Sequence, residues 1–143
     1  MRLDLYQLET ARIATEQTAL LDEVQQRLNA AQSLSRLEQN GVLHALQVLV
    51  ENAIGKAKQL LKAAGEVVPL SAHDAFASLA RLGKINAKDV QQWSLIIGLR
   101  NKIVHDYINI DMTLVYQLIM QKRYLFVTAF LCQPFEKSNA SSQ

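Results

Sequence analysis

Residues 98–107 read GLRNKIVHDY and set an arginine, an asparagine, a histidine and a tyrosine among Leu99, Ile103 and Val104. These residue types could act on a phosphate. A histidine takes or gives a proton near neutral pH. An arginine stays charged and presents a planar fork that matches phosphate oxygens. Asn101 and Tyr107 could orient a ribose, a phosphate or a water. His105 handling the proton of a 2′-hydroxyl or of a leaving group, with Arg100 stabilising the crowded phosphorus transition state, is an adequate set for RNA cleavage without a metal. An ordinary helix end would use the same residues differently, with His105 and Tyr107 capping carbonyls and Arg100 paired with an acid.

Spacing adds a geometric condition. On a straight helix Arg100 and Tyr107, seven residues apart, share a face, whereas His105 points about 140° away from Arg100. The three converge only if the helix ends or loosens near His105, or if a second copy supplies the missing side. Gly98 offers a place where another backbone could come close. The stretch therefore predicts an interface as well as a site.

The elements that must position this stretch read as helices. Ile13, Leu20, Leu21, Val24, Leu28 and Ala31 recur at helical spacing and give a long first helix one apolar face. A break is expected within Ser33 to Gly41. Leu43, Leu46, Val50, Ile54, Ala57 and Leu61 form a second stripe that ends near Gly65. Ser71 with Asp74 predicts a cap for a short third helix that stops at Gly83. Asn86 caps the next, whose buried stripe is Val90, Trp93, Ile97, Arg100 and Val104. Asp111 opens a fifth helix through Val115, Leu118, Ile119, Leu125, Phe126 and Ala129.

The fold class is thus all-α, an antiparallel up-and-down bundle of about five helices. Residues 1–135 form one domain, and the polar segment 136–143 is expected to be a disordered tail.

With 50% hydrophobic and 20% charged residues, the chain is ordinary for a globular protein and excludes an extended, highly charged one. The lone cysteine, Cys132, excludes an internal disulfide framework and reads as a packed small hydrophobe. An N-terminus with acids and amides, and no apolar run of membrane-spanning length, predicts a cytoplasmic protein without a membrane partner. The net charge of +2 implies no nucleic-acid partner by itself. Its distribution is more telling: residues 81–102 hold Arg81, Lys84, Lys88, Arg100 and Lys102 against Asp89 alone, an excess that could attract a phosphate backbone. His44 and His73 have no partners at metal-ligand spacing, and the lysines of GKAKQLLK read as a charged helix face.

The stretch RNKIVHDY resembles the signature of HEPN domains, arginine, four residues, histidine, any residue, tyrosine, in their HepT-like toxin branch. Asn101 directly after the arginine is also typical of that branch. The resemblance implies a metal-independent endoribonuclease toxin of a type II/VII-like toxin–antitoxin module, working as a two-fold dimer with both motifs in a shared cleft. Arg100 and His105 would be the catalytic pair, with Asn101 and Tyr107 in support, and no cofactor. Lys102, Lys88 and Lys84 would line the cleft for an mRNA or tRNA substrate. The implied antitoxin is a small nucleotidyltransferase of the MNT type that transfers AMP to Tyr107. A non-catalytic HEPN module binding a nucleotide or a partner is the alternative.

Overall fold

The computed structural model describes residues 3–135, so the tail expected at 136–143 lies outside the described residues. Six α-helices follow one another: α1 Leu3–Asn29, α2 Arg36–Ala63, α3 Ala72–Arg81, α4 Val90–His105, α5 Met112–Met120 and α6 Leu125–Cys132. Turns of 3-10 helix, Ala87–Asp89 and Tyr107–Asn109, flank α4.

Side-chain caps fix the starts of α2, α3 and α5 and of the 3-10 turn that leads into α4. The Ser71 hydroxyl accepts from the Asp74 amide at 3.0 Å, Asn86 from Lys88 at 3.0 Å and Asp111 from Thr113 at 2.9 Å, as their sequence positions imply. Gly65 (φ +76°) and Gly83 (φ +74°) take the left-handed conformation just beyond α2 and α3. The break before α2 is narrower than the Ser33–Gly41 cluster suggests. Ser35 and Glu38 form a reciprocal capping box, and α2 starts at Arg36 with Gly41 inside it. Burial of Val42, Leu43 and Leu46 in the next turn outweighs the weak helix preference of that glycine.

The fifth helix expected from Asp111 onwards is two helices. Lys122 adopts φ +57°, and its amide and that of Arg123 turn back to the carbonyls of Ile119 and Leu118, closing α5. No glycine or proline marks this break. Tyr124 supplies its reason, since it is buried with its hydroxyl donating to Asp22 of α1.

Long-range hydrogen bonds set the topology. Gln7 near the start of α1 reaches Leu131 in α6 at 2.8 Å, and Asp22 further along α1 meets Tyr124, so the two helices run antiparallel. Tyr107, just past α4, meets Asn40 near the start of α2, so α2 and α4 are antiparallel too. The molecule is an up-down-up-down bundle of α1, α2, α4 and the broken arm α5–α6, with α3 packed on α2 and α4 at one end. The core there is aromatic: Trp93 stacks on Phe76 at 4.1 Å and meets Phe126 at 4.8 Å and Phe130 at 5.1 Å.

Three side chains depart from the sequence reading: Val104, expected in the buried stripe of α4, is 41% exposed, and Lys56 and Cys132 differ as well. Lys56 is not on a charged face but only 2% exposed, its ammonium donating to the carbonyls of Phe130 and Gln133 at the end of α6. Those carbonyls have no partner further along the helix, which is why a lysine can be held inside. Cys132 is exposed rather than packed.

Candidate active site at the end of the fourth helix

The motif occupies the last turns of α4 and the 3-10 turn that follows. α4 stops at His105, where Asp106 leaves the helix (φ −147°, ψ 46°) and its amide closes on the Lys102 carbonyl at 2.8 Å. α4 thus ends at the histidine, but His105 is its last helical residue and stays on a different flank from Arg100. His105 and Asn101 are exposed on the last two turns. Arg100 is half-buried on the flank facing the core, and its Nε is enclosed with no hydrogen-bond partner among the described residues.

Tyr107 lies off the helix, so it does not share a straight helical face with Arg100. Its hydroxyl donates to the Asn40 side-chain oxygen of α2, a partner that no spacing argument on α4 could have found. Lys102 sits beside the motif, 3.6 Å from Asp106 in an exposed ion pair. Lys88, in the 3-10 turn before α4, and Lys84, in the loop before that turn, lie at the other end of the helix from Arg100. Lys84 borders a cavity of about 580 Å³ there, with Asn86, Asp89 and Trp93, into which no motif residue reaches. Arg100, Asn101, His105 and Lys102 thus share one end of the bundle, and the other two basic candidates do not join them.

Within one chain no hydrogen bond or ion pair links Arg100 to His105 among the described residues. The surface beside them is open and apolar. A groove of about 370 Å³ runs between α4 and α5, lined by Leu95, Ile96, Leu99, Leu114 and Leu118, and Leu95 is 66% exposed. No heavy atom of another element lies within 4 Å of where a Cβ on Gly98 would stand.

The remaining histidines are elsewhere. His73 pairs its Nδ1 with the Ser94 hydroxyl at 2.8 Å, and His44 is exposed on α2. Among the described residues no three His, Cys, Asp or Glu side chains gather where a metal ion could be held, and no helix is long and apolar enough to cross a membrane.

Comparison with known proteins agrees with this architecture. The family model described as Ribonuclease HepT-like matches residues 14–130. A solved chain described as "Crystal structure of the toxin-antitoxin with AMP-PNP" is similar in fold, with a TM-score of 0.76 at 19% identity over 88% of this chain and 95% of that one. No curated protein matches.

Proposed function

Because the chain belongs to the HepT-like ribonuclease family, we propose that it is a toxin that cuts RNA through Arg100 and His105, without a metal, in a cleft shared by two copies. In this reading His105 manages the protons: the 2′-oxygen attacks the neighbouring phosphorus as its proton leaves, and the 5′-oxygen departs as it gains one. Arg100 places its fork against the phosphate oxygens as charge builds there. Asn101 orients the ribose or the phosphate, and Lys102 draws the strand to the site.

The observation that carries the reading is where α4 stops. The family match covers residues 14–130, and the helix ends at the histidine that the chemistry needs free. Dimerisation is supported by Arg100 and His105 lying on different flanks of one helix, beside the open surface at Gly98 and the apolar groove. The partner we assign is a nucleotidyltransferase antitoxin of the MNT type that attaches AMP to Tyr107. The similar chain comes from a toxin–antitoxin crystallised with AMP-PNP, and an adenylyl group on Tyr107 would add charge and bulk beside His105. The protein would act in the cytoplasm, on mRNA or tRNA.

Overexpression tests the enzyme. The wild type should arrest growth and cleave RNA in the presence of EDTA, whereas Arg100→Ala and His105→Ala proteins should do neither. Equal effects of wild type and variants would leave a non-catalytic binding module in its place.

A further inference from the structure

A second cavity, of about 420 Å³, lies between the first turns of α2 and the segment after α4. Arg36, Asn40 and Leu43 line it from α2, and Tyr107, Ile108 and Met112 from the other side. We propose that this cavity is a nucleotide subsite, which takes one nucleoside monophosphate unit with Arg36 on its phosphate, Tyr107 against its base and Asn40 on the base edge. The assignment of that unit to the RNA strand rests on the ribonuclease reading above.

Size, chemistry and position agree. The volume falls in the range of small-ligand sites. Every lining side chain is neutral or basic, so no carboxylate would repel a phosphate. Arg36 is exposed and has no ion pair among the described residues. Single-stranded RNA is recognised by stacking bases on aromatic rings and by hydrogen bonds to base edges. Tyr107 is 42% exposed, and its ring is held in place because its hydroxyl donates to Asn40. That bond occupies the Asn40 carbonyl and leaves its amide NH₂ as a donor to a base. Leu43 and Met112 supply the apolar surface under it. Tyr107 follows His105 by two residues, so their Cα atoms are at most about 7.6 Å apart. A nucleotide in this cavity would therefore adjoin the phosphate at His105.

The same chemistry could arrive from two sources, the RNA strand itself or an adenylyl group carried by Tyr107, and the test separates them. Titration of the isotope-labelled full chain with CMP, UMP, AMP and GMP in turn, read by amide NMR, should move signals of residues 39–43 and 107–112. Arg36→Ala should weaken that response about tenfold or more. If none of the four moves these signals, or if Arg36→Ala and Asn40→Ala respond as the wild type does, the subsite is wrong, whether or not the protein cuts RNA. Cleavage of a set of oligonucleotides then decides the source. If the unit belongs to the RNA, Asn40→Ala raises KM more than it lowers kcat and reorders the preferred cut sites. An unchanged order despite nucleotide binding would overturn the RNA assignment and leave the adenylyl group as the occupant. Should the wild type cut no RNA at all, the ribonuclease reading falls while the titration still judges the cavity.

Discussion

Lys56 of α2 donates its ammonium to the carbonyl oxygen of Phe130 at 2.8 Å, across the core and into the last turn of α6. The same ammonium reaches the Gln133 carbonyl and lies 5.2 Å from the Phe130 ring centre. A single side chain thereby anchors the end of the bundle furthest from the candidate active site. Lys56→Ala would leave these carbonyls unpaired and open a cavity. It should cost about 2–4 kcal/mol in a denaturant titration while leaving the end of α4 intact.

The same lysine gives a pH dependence. Burial pushes its pKa down to about 8, against an opposing pull from Cys132. Since the unfolded chain holds that proton up to its ordinary value of 10.5, the folded state carries fewer protons between the two values. Stability should therefore rise with pH from about 8 towards 10.5, relative to a Lys56→Met protein in which this contribution is absent. A flat difference between the two proteins across that window would contradict the shift.

Glu38 titrates the other way. The Arg27 guanidinium and the Ser35 amide hold its carboxyl down at about 2. The stabilisation it gives is present in full above its ordinary value of 4.5 and fades as pH falls towards 2. Ser35→Ala removes the other half of the capping box and should cost about 1 kcal/mol, with Gly in its place costing less.

Arg100→Lys keeps the charge and loses the fork. If the guanidinium stabilises the phosphorus transition state, this variant should fall by about 10²-fold or more in kcat with little change in KM. A protein that cleaves as well with lysine there would reduce Arg100 to a point charge.

Gly98→Gln tests the shared cleft. In the single chain the position is open, and glutamine favours helix over glycine, so the helical circular dichroism should not fall. The dimer expected in sedimentation should be lost, together with cleavage. A Gly98→Gln protein that sediments as the wild type would take this face out of the interface.

The helices were legible wherever apolar spacing and capping residues agreed, as at Ser71, Asn86 and Asp111. They were illegible where a distant partner decided the matter. Nothing local at Lys122 foretells the break between α5 and α6, because the buried Tyr124 and its partner Asp22 are 102 residues apart. Lys56 misled for the same reason, since its carbonyl acceptors lie 74 or more residues away. At the motif, helical spacing left two routes to convergence open, a helix end near His105 or a second copy, and α4 does end at His105. The spacing gave no sign of Asn40, which sits on another helix, and it grouped Lys84 and Lys88 with Arg100 only because they are close in sequence.

The bonds between Gln7 and Leu131, 124 residues apart, and between Thr18 and Thr128 join the first helix to the last. During synthesis α1 can pack on α2 at once, but its other wall, α5 and α6, is made only later. The bundle closes only when nearly all of the described chain has emerged, and closing so long a loop is slow. A chain interrupted before residue 125 would lack one of the walls on which α1 rests.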